Sequence, residues 1–173
     1  ARIAKEAREL VLAEQCPSET MDLLLMPDQM ILQIHESIGH PLELDRILGD
    51  ERNYAGQSFI TLDDFGHYQY GSKALNITFD PIVEQEVASY HLDDTGHHAT
   101  KEYIIKDGKL LRGLGSLESQ HRSNVPGVAC GRMSSWNRPP IDRMANLNLE
   151  PGEADFDAMV SSVKRGIVMA TNK

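Results

Sequence analysis

Two rhythms of apolar and polar residues alternate along this chain, one repeating every three to four positions and one every two, with glycines and prolines marking the changes. In "ARIAKEARELVLAEQ", Ile3, Ala7, Leu10 and Val11 recur at helical spacing, which predicts a helix that packs on a sheet and is stopped by Pro17. "TMDLLLMP" is a short apolar run closed by Pro27 and reads as a buried strand. "DQMILQIHESIG" follows with Asp28 placed to cap and Met30, Ile31, Ile34 and Ile38 on one stripe, so a second helix is predicted there. Residues 43–81 are polar, dotted with glycine and weakly periodic, as expected of a long loop region with short strands. "IVEQEVASY" alternates as a strand does, and "DDTGHHATK" after it is rich in turn residues.

The clearest local signal is "EYIIKDGKLLRGL", two apolar runs joined at Asp107-Gly108, a dipeptide suited to a tight primed turn. "SLESQHRS" predicts a short helix. The Gly-, Pro- and Asn-rich stretch after it runs irregularly toward a short strand around Met144 to Leu149. "EADFDAMVSSVKRG" has the capping acids and spacing of a helix with Gly166 as its stop, and an apolar strand-like run emerges after it. Strand runs beside separate helices predict an α+β arrangement with a mostly antiparallel sheet and packed helices.

A length of 173 residues suits a single domain or part of one. The abrupt ends lead us to expect a fragment of a larger protein. With 17 basic and 26 acidic residues the net charge is −9, which argues against a nucleic-acid binder, and aromatic residues at 6% give little base-stacking surface. No apolar run approaches the roughly 20 residues of a membrane span. No secretory signal pattern opens the chain, and Cys16 and Cys130 form neither a C-x-x-C pair nor a disulfide framework, so a cytoplasmic protein is expected.

The chemistry concentrates in "HESIGH". On an ideal helix, His35 and His40 point roughly 140° apart, because five residues turn about 100° each. Gly39 and Pro41 resolve this: proline drives the residue before it out of helical backbone space, so the helix is expected to end near Gly39 and the His40 ring to swing back toward His35. A widened last turn acts in the same direction. Glu36, directly after the first histidine, stands where a zinc peptidase keeps its general base. Two imidazoles fall short of the three protein ligands that a catalytic zinc takes.

The segment "HESIGHPLELD", with "MILQI" before it, resembles the H-E-x-x-x-H-x-x-E-x-D signature of the TldD/PmbA metalloproteases, also known as modulators of DNA gyrase. "DDTG", "YIIKDGKLLRGL", "DRMANLNLEPG" and "SVKRGI" resemble later blocks of that family in the same order, so the resemblance runs from about residue 18 to the end. It implies a zinc-dependent peptidase acting on unfolded or small peptides, working as a homodimer or as a heterodimer with a paralogous subunit. By the same resemblance His35 and His40 match the metal ligands and Glu36 the catalytic glutamate. Glu43 and Asp45 match acidic positions of that signature, and a role beside the ligands or facing substrate is the expectation for them. The family's third ligand is a cysteine in a block beyond "GIVMATNK", with which neither Cys16 nor Cys130 aligns. A non-catalytic assembly or peptide-binding module is therefore the alternative.

Other residues are weighed more plainly. His97 and His98 either approach the metal or substrate or form a solvated turn pair, and the second weighs more. Arg143 either binds a substrate carboxylate or pairs structurally with an acid, with the structural role favoured. The acidic runs "ELDRILGDE" and "LDDFG" are expected to stay solvated, and Cys130 to be a small buried hydrophobe.

Overall fold

The structure, a computed structural model, describes residues 2–171. Its elements run α1 (Arg2–Leu12), β1 (Asp22–Leu25), α2 (Pro27–Ile34), a π turn (His35–Gly39), a 3-10 turn (His40–Leu42), α3 (Leu44–Leu48), α4 (Arg52–Ala55) and a second 3-10 turn (Leu62–Asp64). They continue with β2 (Ile77–Phe79), β3 (Glu102–Lys106), β4 (Lys109–Leu110), α5 (Leu117–Ser123), β5 (Gly131–Arg132), β6 (Ile141–Asp142), β7 (Leu147–Leu149), α6 (Phe156–Ser162) and β8 (Gly166–Met169). The α+β class is as the sequence predicts. The main sheet is antiparallel in the order β4-β3-β2-β7, with β5-β6 as an antiparallel pair and β1-β8 as a parallel pair.

Strand β2 is buried along its whole length because it is an interior strand covered on both faces. Ile77 and Phe79 pack with Ile104, Ile105, Leu110 and Leu114 in the core, where Ile38 and Leu42 join them from the motif segment. On its other face Thr78 donates its hydroxyl to Glu150 Oε1 at 2.7 Å, so the one polar side chain of the strand is paired. The β3-β4 hairpin closes at Asp107 and Gly108, both with positive φ (50° and 73°), the backbone a primed turn requires.

Several predicted elements are corrected. Helix α1 forms, but no residue of it is buried and it packs on no sheet; Ile3, Leu10 and Val11 stand in solvent. Strand β1 is a half-exposed member of a two-stranded pair, without the second layer that would bury it. Asp28 does not cap α2: Met26 holds the N-cap position and Pro27 opens the helix, where its missing N–H costs nothing. The 43–81 stretch contains α3 and α4 as well as loop. Residues 82–90 are a string of turns and not a strand; Ala88 N–H donates to the Asn146 side chain and Tyr90 N–H to the Pro81 carbonyl. Helix α6 stops at Ser162 with Val163 as its cap, and Gly166 instead opens β8. Among the described residues no helix is long and apolar enough to cross a membrane.

Candidate metal centre

Helix α2 runs into "HESIGHPL", and Pro41 is the residue that changes its winding. Without an N–H, Pro41 cannot bond the Ser37 carbonyl four residues back, and its ring crowds that oxygen. The turn widens: His40 N–H donates to the His35 carbonyl, five residues earlier, and the freed Ser37 carbonyl accepts from the Tyr70 hydroxyl. His40 keeps helical angles (φ −58°, ψ −42°), which corrects the expectation that proline would expel it from helical space. The residue that leaves is Glu43, with ψ 117°. Gly39 lets the turn pack closely on Met144, whose thioether a Cβ there would displace.

The consequence of the π turn is that residues five apart stack on one side. His35 Nε2 and His40 Nε2 lie 2.9 Å apart with their rings edge to face at 89°. Glu36 Oε1 is 3.9 Å from His35 Nε2, and one ligand atom from each of His35, Glu36 and His40 lies within 4.8 Å of the others. Two nitrogens bonded tetrahedrally to zinc stand roughly 3.4 Å apart, so an ion held by both rings would require the pair to open by about half an ångström. Burial, then Arg46, depresses the pKa of His40, which favours the neutral imidazole a metal needs.

Behind His40 lies a charge cluster centred on Glu43. The Glu43 side chain is fully buried; its Oε2 is 3.0 Å from His40 Nδ1, 3.4 Å from Arg46 Nη2 and 3.5 Å from Arg143 Nη1. Burial pushes the Glu43 carboxyl up to about 7 while Arg143 and Arg46 pull it down. Arg143 also donates to Glu51 Oε2 at 3.0 Å and to the Asp142 carbonyl at 2.8 Å. The pairing of Arg143 with acids is the structural role favoured from sequence.

Asp45 lies outside the converging group. Its Oδ2 accepts from Asp142 N–H and Asp142 Oδ2 accepts from Asp45 N–H, both at 3.0 Å, a reciprocal clasp tying α3 to β6. The "ELDRILGDE" run is thus no solvated face, for Glu43 and Asp45 are both buried. In "LDDFG", by contrast, Asp63 is exposed and Asp64 closes a capping box with Thr61. His97 and His98 do not join the converging donors: His97 N–H donates to Asp93 Oδ1 within a turn, and His98 is exposed. Cys130 is buried in the core as expected, with its thiol pushed well up by burial. Sequence reading missed Arg46 and Glu51, whose signal would have been their spacing of three and eight residues from Glu43 across two helices too short to announce themselves.

Two grooves flank the motif. One, of about 460 Å³, is mainly apolar and is lined by Ile31, Ile34, His35, Val87, Met144 and Leu147. The other, of about 220 Å³, is lined by Glu36, His40, Arg46, Gln57, Ser58 and Phe59.

Residues 18–172 match the PmbA/TldA metallopeptidase C-terminal domain, and the chain belongs to that family. It is 30% identical over 163 residues to a metalloprotease of Methanocaldococcus jannaschii, covering 94% of this chain and 34% of that protein. It is 23% identical to a zinc metalloprotease TldD homolog of Saccharolobus solfataricus, covering 86% of this chain and 32% of that protein. The chain therefore spans about a third of the length of the curated relatives it matches. A Thermotoga maritima protein described as a candidate modulator of a DNA gyrase shares the fold, with TM-score 0.74 at 23% identity, over 97% of this chain and 36% of that one.

Proposed function

We propose that the chain is the metal-bearing portion of a zinc-dependent peptidase that hydrolyses unfolded or small peptides. In this reading His35 and His40, whose Nε2 atoms face each other, would hold the ion. The observation that supports it is the 2.9 Å approach of those two nitrogens beside the Glu36 carboxylate, produced by a π turn that a regular helix would not supply. Bound zinc supplies the polarising charge that makes water a nucleophile near neutral pH. Glu36, exposed at the mouth of the site, would take a proton from the attacking water and pass it to the leaving amine. The apolar groove beside His35 and the mixed groove beside Glu36 give an extended peptide a path on either side. A paralogous subunit or a second copy completes the working assembly.

The test is zinc content and hydrolysis of an unstructured peptide by the chain, alone and within its complete reading frame. Glu36→Gln should keep zinc and lose at least about a hundredfold in turnover; unchanged hydrolysis removes Glu36 as the base. One observation favours a second reading, a non-catalytic assembly or peptide-binding module: Cys130 is sealed in the core and offers no third ligand. Zinc-free, inert protein that binds a paralogous chain would support it.

A further inference from the structure

The hydrogen bonds running through the motif have a direction. At one end is Glu43, whose Oε2 faces His40 Nδ1 at 3.0 Å. Two guanidinium groups crowd the same oxygen, Arg46 at 3.4 Å and Arg143 at 3.5 Å, and guanidinium can only donate. An oxygen surrounded by cationic donors is held as an acceptor, so the proton between it and His40 belongs to Nδ1. Arg46 Nη2 also lies 3.4 Å from Nδ1, but the carboxylate is nearer to that nitrogen, and Arg46 directs its other arm to the Ala55 carbonyl. With the proton on Nδ1, a neutral His40 presents a lone pair at Nε2. His35 Nε2, 2.9 Å away, then supplies the N–H between the two rings, because two facing lone pairs would repel.

We propose that Glu43 is a positioning residue that fixes His40 as the Nδ1–H tautomer and aims its Nε2 lone pair into the space shared with His35 and Glu36. This rests on the reading of His35 and His40 as metal ligands. Glu43 is sealed from solvent, so it touches neither substrate nor attacking water and acts only through His40. Arg143 is the brace: tied to Glu51 and to the Asp142 carbonyl, it fixes Glu43 from the far end of the sequence. The π turn brings the rings together, and the acid behind them decides which nitrogen is free.

Two measurements test this on the whole chain. In long-range proton–nitrogen spectra of the metal-free wild type, His40 should show a protonated Nδ1 and an unprotonated Nε2; a protonated Nε2 in place of Nδ1 overturns the proposal without any variant. Chelator competition for Zn2+ supplies the second readout. Glu43→Ala, which removes the acceptor, should weaken zinc affinity about 10–100-fold and release His40 from the Nδ1–H tautomer, while His35→Ala and His40→Ala should abolish measurable binding. If the histidine variants lose zinc and Glu43→Ala binds as tightly as wild type, the positioning role fails and the metal reading stands. If the histidine variants bind zinc like the wild type, the metal reading fails, and the inference with it.

Discussion

Every described leucine, isoleucine and valine that is buried lies between Ile38 and Asn146, although Leu62, Ile82, Val87, Leu92 and Leu117 in that span are exposed; in α1, β1 and β8 the same residue types all stand partly or wholly in water. No described residue before Ile38 or after Asn146 is buried. The two regions do not differ in local pattern, since α1 is more strongly amphipathic than α2, the helix that leads into the buried region. They differ in having a second layer. A helix stripe or a two-stranded pair stays exposed until another element covers it, while the four-stranded sheet has the loops and turns of residues 38–146 on both faces. The metal motif straddles this boundary. The His35 side chain is 48% exposed on the open side, His40 28%, and Glu43 is sealed.

Four experiments would break or sharpen that contrast. Phe79→Ala, in the middle of the buried strand, should cost about 3–5 kcal/mol in chemical denaturation; a cost below about 1 kcal/mol would mean that the sealed region is not the stabilising one.

Next comes pH. Burial and the Asp142 carboxylate push Asp45 up to about 7 from an ordinary 3.8. Between those values the folded state holds a proton that the unfolded chain has lost, so this contribution is full below about 3.8 and disappears as pH rises through 7. Stability should fall by on the order of 4 kcal/mol across that window, and Asp45→Asn should flatten the slope. An unchanged slope in the variant would exclude Asp45 as its source.

Gly39→Ala should cost about 1–3 kcal/mol, because its new Cβ drives into Met144, and should also weaken zinc binding by disturbing the π turn. Normal zinc affinity would show that the turn tolerates the methyl. Smallest of all, Val11→Ser in α1 should move stability by less than about 0.5 kcal/mol; a larger loss in thermal melts would reveal a contact for α1 that the fold lacks.

The legible parts of the fold were those written in neighbouring residues. The Asp107-Gly108 hairpin, the short α5 and the run before Leu149 depend on turn chemistry and spacing within a dozen positions. Helices α3 and α4 went unread because five and four residues complete barely one turn, too little to show a period. Residues 82–90 alternate convincingly but have no strand to pair with, and Asn146, far along the chain, takes one of their N–H groups instead. At the site, His35, Glu36 and His40 were legible as a spacing with a proline after it. The burial of Glu43 and Asp45 was not, since their partners Arg143 and Asp142 arrive from a strand end about a hundred positions later, 97 in the case of Asp45.

The order of residues alone determined that a helix would reach "HESIGHP" and that proline would disturb its last turn, because steric exclusion and a missing N–H act within four positions. Only the tertiary structure decided how. Tyr70 takes up the orphaned Ser37 carbonyl and Met144 fills the space against Gly39, so the turn widens and His40 stays helical. Arg143 and Glu51 close the charge cluster behind it. Contacts between groups far apart in the chain have no local signature, and the energy that selects one turn geometry over another comes from them.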